Sequence, residues 1–386
     1  MTITGAAPAR KARARTAAFS ILTGLFVYVF AEFLFSTAFI VGWLYPPPST
    51  WFFETSGKTL RFDARAGYKL TSTPSRFTRI TFGEPEYTGI LRGNNRGYPD
   101  QHDFIPEREA DGRQRVAVFG DSFTAAQYLD KNWPDRVEEL DAGLQLLNFS
   151  QDGVGLANWW SILKREVEAE NFELDAVVFA VYRGNLQRRF AVADHRDQNF
   201  HMFGRTHSWD PATWPGTRAE AQKFMRPLNG YIVAADAYEA ALSGRWHPEL
   251  PRPIRPYLLA WIKLQMEDLL DSGDSRSPGA ASAGQSETDR ARLVAEIAAI
   301  LKRRGVPVLV AHVPERARLL ANDWEIPAET LAFAERLDAA IFDGSHALRS
   351  ETERSLRQQW FPYDAHWNQR GSDRFAASIQ AAIARL

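Results

Sequence analysis

Cysteine is absent from the 386 residues. No disulfide, Cys-ligated zinc or thiol nucleophile can form, and the redox compartment stays open, a bacterial periplasm included. A surplus of charge is absent too: 46 Lys and Arg stand against 47 Asp and Glu, leaving a formal charge of -1. No global field then draws the chain to nucleic acid or to an anionic surface, so nucleic-acid binding is not expected. No internal repeat is evident. Hydrophobic residues make up 45% and charged residues 24%, the balance of a soluble globular body and not of a disordered or multi-span chain. The length suits two domains, or one enzyme domain with attachments.

One stretch departs from that balance. Between Ala17 and Tyr45 the only charged residue is Glu32, and the run exceeds the ~20 apolar residues that cross a bilayer. Arg10, Lys11, Arg13 and Arg15 precede it, whereas only Lys58 follows before Arg61. This bias expects residues 1–16 as a cytoplasmic tail, 17–45 as a single transmembrane anchor, and the rest outside the cytoplasmic membrane, in the periplasm of a bacterium. Trp43 and Tyr45 suit the far interface, and Pro46, Pro47 and Pro48 stop the helix. A cleaved signal peptide has an apolar core of only ~7–15 residues ending in small ones; here the run continues through Phe39, Ile40 and Val41. A carboxylate at mid-membrane is costly, and Glu32 is read first as neutral, water-exposed or helix-pairing, and second as a relay.

Residues 46–112 mix Pro, Gly and aromatics with short alternating runs such as Arg79-Ile80-Thr81-Phe82. They are expected to form an extended stalk and collar. From residue 113 the pattern changes. Val116-Ala117-Val118-Phe119, Leu146-Leu147-Asn148-Phe149, Ala176 to Val181 and Val308 to Val313 read as buried parallel strands, with helix-like stretches at Ala157 to Glu170 and Thr288 to Arg304 between them. Strands alternating with helices predict an α/β domain over 113–386 with a parallel sheet. An insertion at about 186–287 breaks the rhythm: it is aromatic and basic to about residue 260, then rich in Ser, Gly and Ala over 272–287, where a flexible loop is expected.

The chemistry is concentrated at strand ends. Gly120-Asp121-Ser122-Phe123 follows the first strand of the domain, which puts Ser122 at the carboxyl edge where open α/β sheets bind ligands. A serine hydroxyl needs a base, and the base needs a group that orients it. Tyr363-Asp364-Ala365-His366-Trp367-Asn368 offers His366 as base and Asp364 as its partner. Gly153 and Asn185 follow the next two strands on the same edge, where donors for an oxyanion are wanted.

These blocks, in this order, resemble the SGNH (GDSL-like) hydrolases: Gly120-Asp121-Ser122, Asn148 with Gly153, Gly184-Asn185, then Asp364 with His366. Asn95-Arg96-Gly97-Tyr98, Trp133-Pro134 and Asp364-Ala365-His366-Trp367-Asn368 are similar to the branch of bacterial polysaccharide O-acetyl esterases and alginate-acetylation proteins. The resemblance covers about residues 95–185 and 290–386. It implies a three-layer α/β domain, Ser122 as nucleophile, Asp364 and His366 completing a triad, and an oxyanion hole from the N–H groups of Ser122 and Gly153 and the side-chain amide of Asn185. It departs from the family in two places. Leu186 stands where many members carry Asp, and Asp364 lies two residues before His366, where the commoner spacing of three would select Tyr363.

The expected activity is that of a membrane-anchored serine esterase on O-acyl, chiefly O-acetyl, groups of a carbohydrate. Transfer to an envelope polysaccharide, a lipase or thioesterase, and a silent binding module of a polysaccharide assembly are the alternatives. No cofactor is expected. No metal is expected either, since His195, His201 and His207 recur every six residues, off any one helical face. Phe200, Phe203, Trp209 and Trp214 are read as packing or a lid ahead of sugar stacking, and Arg188 with Arg189 as solvated or anion-holding. Following Asn185 directly, the insertion is expected to cover the oxyanion side of the site.

Overall fold

The computed structural model describes residues 7–40, 50–55, 58–81, 84–196, 200–206, 213–245, 247–250, 287–350 and 352–386, with single residues at 210, 258 and 262. Two compact units share the chain. The first takes Met1–Thr50 with Trp246–Ala281, the second Trp51–Arg245 with Ser282–Leu386.

In the first unit a helix, α1, runs over Ala7–Ile40. Its stretch Arg15–Ala38, 24 residues, is long and apolar enough to cross a membrane. The helix starts well inside the expected tail, while Trp43, Tyr45 and the three prolines lie outside the described residues. Glu32 is paired: Tyr28 Oη and Ser36 Oγ, four residues to either side, donate to its carboxylate at 3.3 and 3.2 Å, and the Leu258 N–H donates at 3.0 Å. The i±4 spacing stacks all three side chains on one helix face.

The second unit holds two larger sheets. Strands β1 (Thr50–Thr55), β2 (Leu60–Asp63), β3 (Gly67–Leu70), β4 (Ser75–Thr81) and β5 (Glu84–Leu91) come from the stretch read as stalk and collar. They are followed by β6 (Gln114–Phe119), β7 (Leu144–Asn148) and β8 (Ala176–Val181). The insertion supplies β9 (Ala191–Arg196), β10 (Phe200–Arg205) and β11 (Met225–Val233), and the chain ends with β12 (Val308–His312) and β13 (Ala340–Asp343).

The central sheet has the order β13-β12-β8-β6-β7, and every pair is parallel. Alternate residues of each strand point to opposite faces, and each face has its own core. Ala117, Phe119, Val177, Phe179 and Val310 pack under helices Leu156–Ile162, Glu287–Arg304 and Ala328–Arg336. Val116, Val118, Val178, Ala180 and Leu309 pack under Trp133–Leu140 and Gln369–Ile383. This is the three-layer α/β arrangement. Because β7 and β8 flank β6 on opposite sides, the winding reverses at β6, and the crevice at such a reversal is where open sheets bind ligands.

The second sheet differs from expectation. Its order is β5-β4-β1-β11-β10-β9, so strands from the supposed stalk and from the insertion interleave. β1 pairs with β11 in parallel, Phe52 opposite Gly230 and Thr55 opposite Val233. An extended stalk would have left Phe53, Phe77 and Ile80 in water; here all three are buried. The same stretch is pinned to the α/β layer by a buried ion pair, Lys69 Nζ to Glu166 Oε2 at 2.8 Å, joined by Tyr98 Oη at 2.9 Å. Strands β9–β11 of the insertion are therefore half of a second sheet that roofs the cavity beside Ser122. Of the expected flexible loop at 272–287, residues 272–286 lie outside the described residues, and Glu287 begins the helix Glu287–Arg304.

Candidate active site

Phe119 ends β6, and the chain turns at Gly120. A Cβ there would lie 2.2 Å from Thr124 Oγ1, so only glycine permits the tight turn. Asp121 then caps a one-turn helix, Ser122–Ala125, its Oδ1 accepting from the Phe123 N–H at 3.1 Å. Its other oxygen takes Asn185 Nδ2 and Arg188 Nη1, each at 2.9 Å. The nucleophile turn is thereby clamped to the loop after β8, and Arg188 serves that clamp in place of an anionic substrate.

Ser122 Oγ and His366 Nε2 lie 2.7 Å apart, and His366 Nδ1 lies 2.7 Å from Asp364 Oδ1. The spacing of the last block explains this. Asp364 and His366 turn toward Ser122, Trp367 is fully buried beneath them, and Asn368 caps the final helix by accepting from Arg370 and Gly371 N–H. Tyr363, at the commoner family spacing, is 58% exposed. The imidazole is held between the rings of Phe123 and Tyr128, with centroids at 4.6 and 5.0 Å.

The roof supplies what the motifs did not reveal. Arg79 on β4 pairs with Asp364 Oδ2 and with Glu86, and Tyr87 on β5 donates to Asp364 Oδ2 at 2.8 Å. Glu86 Oε1 accepts the N–H groups of both Tyr363 and Asp364 at 2.8 Å. Burial opposes the charge on Asp364, yet the hydrogen bond and charge of His366, then Arg79 and Tyr87, hold its carboxyl well below the usual range. Burial likewise opposes the imidazolium. Asp364, with Asp121 and Asp152 behind it, outweighs that and raises the His366 pKa.

Among the described residues, no acceptor takes the N–H of Ser122 or of Gly153. Gly153 has φ +71°, a left-handed conformation that favours glycine, and a Cβ there would meet Phe203 at 3.0 Å. Arg205 Nη2 donates to the Gly153 carbonyl at 2.9 Å, so β10 steadies this turn. Asn185 differs from the expected third donor: both hydrogens of its amide are engaged, by Asp121 Oδ2 at 2.9 Å and by Val154 O at 3.3 Å. Its Oδ1 accepts the Tyr182 N–H at 2.6 Å. In this arrangement Asn185 is a strut for the Asp121 turn, and buried Leu186 behind it leaves that support to Asp121.

Asp152, which precedes Gly153, carried no sequence signal. The residue is exposed and lines the cavity beside Ser122 and His366, where its charge is one of those that favour the imidazolium of His366. Ionised Asp152 favours imidazolium, and the base must be neutral to accept a proton. Asp152→Asn should therefore lower the His366 pKa and move the acidic limb of a kcat/KM profile to lower pH. A limb that stays in place or moves up would contradict this electrostatic assignment.

The remaining expected residues scatter. His195 and His201 sit opposite each other on β9 and β10, His195 Nδ1 against Leu60 O at 2.8 Å and His201 on Glu54. Trp214 stacks on Phe190 at 4.4 Å in the core, Phe203 faces the cavity, and His207, Trp209 and the Phe200 side chain lie outside the described residues.

Fold and site together define a class: an α/β protein with the Ser–His–Asp arrangement of a serine hydrolase at the winding reversal of its parallel sheet. No family model and no curated protein matches the chain. Among solved structures it is similar to TesA, at TM-score 0.34 and 12% identity over 70% of this chain and 99% of that one. A GDSL-like lipase from Bacteroides thetaiotaomicron gives 0.33 and 11% over 73% and 92%, and AlinE4, an SGNH-hydrolase family esterase, gives 0.31 and 13% over 72% and 98%.

Proposed function

We propose that the protein is a membrane-anchored serine esterase that forms an acyl-enzyme at Ser122. The observation that carries this is the unbroken chain from Ser122 Oγ through both nitrogens of His366 to Asp364, with bonds of 2.7 Å on either side of the ring. As Ser122 Oγ attacks an ester carbonyl, His366 Nε2 takes its proton, and the imidazolium is stabilised by ionised Asp364. The developing oxyanion is met by the N–H groups of Ser122 and Gly153. Asn185 joins them only by giving up its longer, 3.3 Å bond to Val154 O. His366 then returns the proton to the leaving alkoxide. Water, or an acceptor hydroxyl, repeats the sequence in reverse to release the acyl group.

The alcohol side of the substrate is proposed to be a carbohydrate of the cell envelope, on the sequence resemblance to polysaccharide O-acetyl esterases. On the acyl side the cavity beside Ser122, about 380 Å³, has room for more than an acetyl group. Hydrolysis is the default and transfer the variant, since the triad serves both. Arg10, Lys11, Arg13 and Arg15, in the first turns of α1 and ahead of its apolar stretch, favour an amino terminus inside and an enzyme outside, so an export-dependent reporter fused after Leu386 should be active. The function itself is tested on the full-length chain in detergent with a small fluorophosphonate and an acetyl-ester reporter. Labelling at Ser122 with matching loss of turnover is expected, and labelling elsewhere, or none, sinks the assignment.

A further inference from the structure

Asp364 meets His366 with one oxygen only. Its Oδ1 lies 2.7 Å from ring Nδ1 and accepts the His366 backbone N–H at 3.2 Å, so both bonds stay inside the local block. Oδ2 needs partners from elsewhere, because Asp364 is buried and a buried carboxylate oxygen without a donor is costly. Those partners come from β4 and β5. Arg79 stands between two carboxylates, with Nη1 on Asp364 Oδ2 and Nε 3.1 Å from Glu86 Oε2, while Tyr87 Oη donates to the same Oδ2 at 2.8 Å.

The pairing of the two strands shows how this is built. Arg79 lies opposite Tyr87 but Ile80 lies opposite Pro85, so Glu86 is an extra residue on β5 with no partner on β4. In an unbroken strand Glu86 and Tyr87 would point to opposite faces of the sheet. The bulge lets both reach the same loop: Glu86 Oε1 accepts the N–H groups of Tyr363 and Asp364, and Tyr87 bonds the carboxylate. Bulges beside active sites serve to re-aim a side chain in this way.

Charge gives the clamp a chemical consequence. Asp364, Asp121 and Asp152 all favour the imidazolium of His366, yet the ring must be neutral to take a proton from Ser122. Phe123 and Tyr128, the rings packed on either side of it, bring no cation. Among the described residues two cations line the cavity: Arg205 is bonded to the Gly153 carbonyl, and Arg79 is bonded to the acid of the triad itself. Arg188 is paired with Asp121.

We propose that Arg79 is a positioning residue of the reaction, a fourth member of the Ser122–His366–Asp364 chain that, with Tyr87, fixes the outer oxygen of Asp364 and offsets the carboxylates around His366. The inference rests on the ester chemistry proposed for Ser122. Its two parts are separable. The charge makes the ring less ready to hold a proton, whereas the planar fork, one nitrogen on each carboxylate, sets the orientation of Asp364, and a lysine ammonium cannot reproduce that fork.

The test follows fluorophosphonate labelling of Ser122 and kcat/KM on an acetyl-ester reporter across pH, using the full-length chain in detergent. Arg79→Met removes a cation near the imidazolium, so the acidic limb of both profiles should move up by roughly one pH unit. Its plateau should fall by roughly tenfold to a hundredfold as Asp364 loses its setting. Arg79→Lys should return the limb close to the parental pH and keep the lowered plateau. Tyr87→Phe, which removes a neutral donor and leaves the ion pair, should move the limb the same way by less. A merely structural role would lower the plateau without moving the limb. An unmoved or lowered limb in Arg79→Met, or a parental plateau in Arg79→Lys, overturns the inference, and labelling of the parent at Ser122 then leaves the serine chemistry standing. If Arg79→Met fails to fold, an unmoved limb in Tyr87→Phe does the same. A parent that is neither labelled at Ser122 nor active on the ester at any pH removes both.

Discussion

Ser122→Ala is expected to lower ester turnover by about 10⁴- to 10⁶-fold while leaving the fold unchanged. The substitution removes the attacking atom and nothing else of weight. Oγ makes one hydrogen bond, to His366, and the residue is only half-buried, so no core contact and no buried partner is lost. The backbone N–H of residue 122 remains in place, as do Gly153 N–H and the cavity, and these account for whatever rate persists over water. Single-turnover kinetics on an acetyl or octanoyl ester, with a circular dichroism spectrum of the same preparation, decide it. Turnover within tenfold of the parent would mean that another group attacks.

Asp364→Asn should follow closely, with kcat reduced by about 10⁴-fold. The amide nearly matches the carboxylate in shape, but if its NH₂ faces His366 Nδ1 it needs a bare nitrogen there, which puts the ring proton on Nε2 where Ser122 must be deprotonated. It also removes the charge that stabilises the imidazolium. The change reaches into the roof: Arg79 would keep Glu86, at 3.1 Å, but lose one of its two anionic partners, and Tyr87 would lose its charged acceptor. A modest loss of stability is therefore expected alongside the kinetic loss. Glu86, which fixes the backbone of residues 363 and 364 through two 2.8 Å bonds, should keep the loop in place. Parental activity in this variant would show that a group other than Asp364 orients the base.

These two variants separate what the motifs carry from what the roof carries. The four central strands β6, β7, β8 and β12 were legible because each is a short apolar run ending at a turn signal, and the observed ends differ from the expected ones by a residue or two. β13 was not, being four residues long with two of them exposed. Asp364 and His366 were legible because both partners sit in one local block. Arg79, Glu86 and Tyr87 were hidden: they lie more than 270 residues away in the chain, and nothing in an alternating run such as Arg79-Ile80-Thr81 says which distant group its outward face will meet. Asn185 shows the converse limit, a residue placed correctly at the strand end whose hydrogens are spoken for by neighbours 64 and 31 residues back.

Local order along the chain was thus enough for the apolar helix, the alternation of strand and helix, the candidate nucleophile and donors at successive strand ends, and the candidate base with its partner in one later block. Each of these depends on a period or a turn that spans a few residues. Pairing of β1 with β11, the roof it creates, the buried Glu54–His201 dyad and the cavity over Ser122 depended on the tertiary structure. Strand pairing joins backbone groups that are alike in every residue, so the partner of β1 is chosen by which apolar faces remain uncovered once the whole chain has folded.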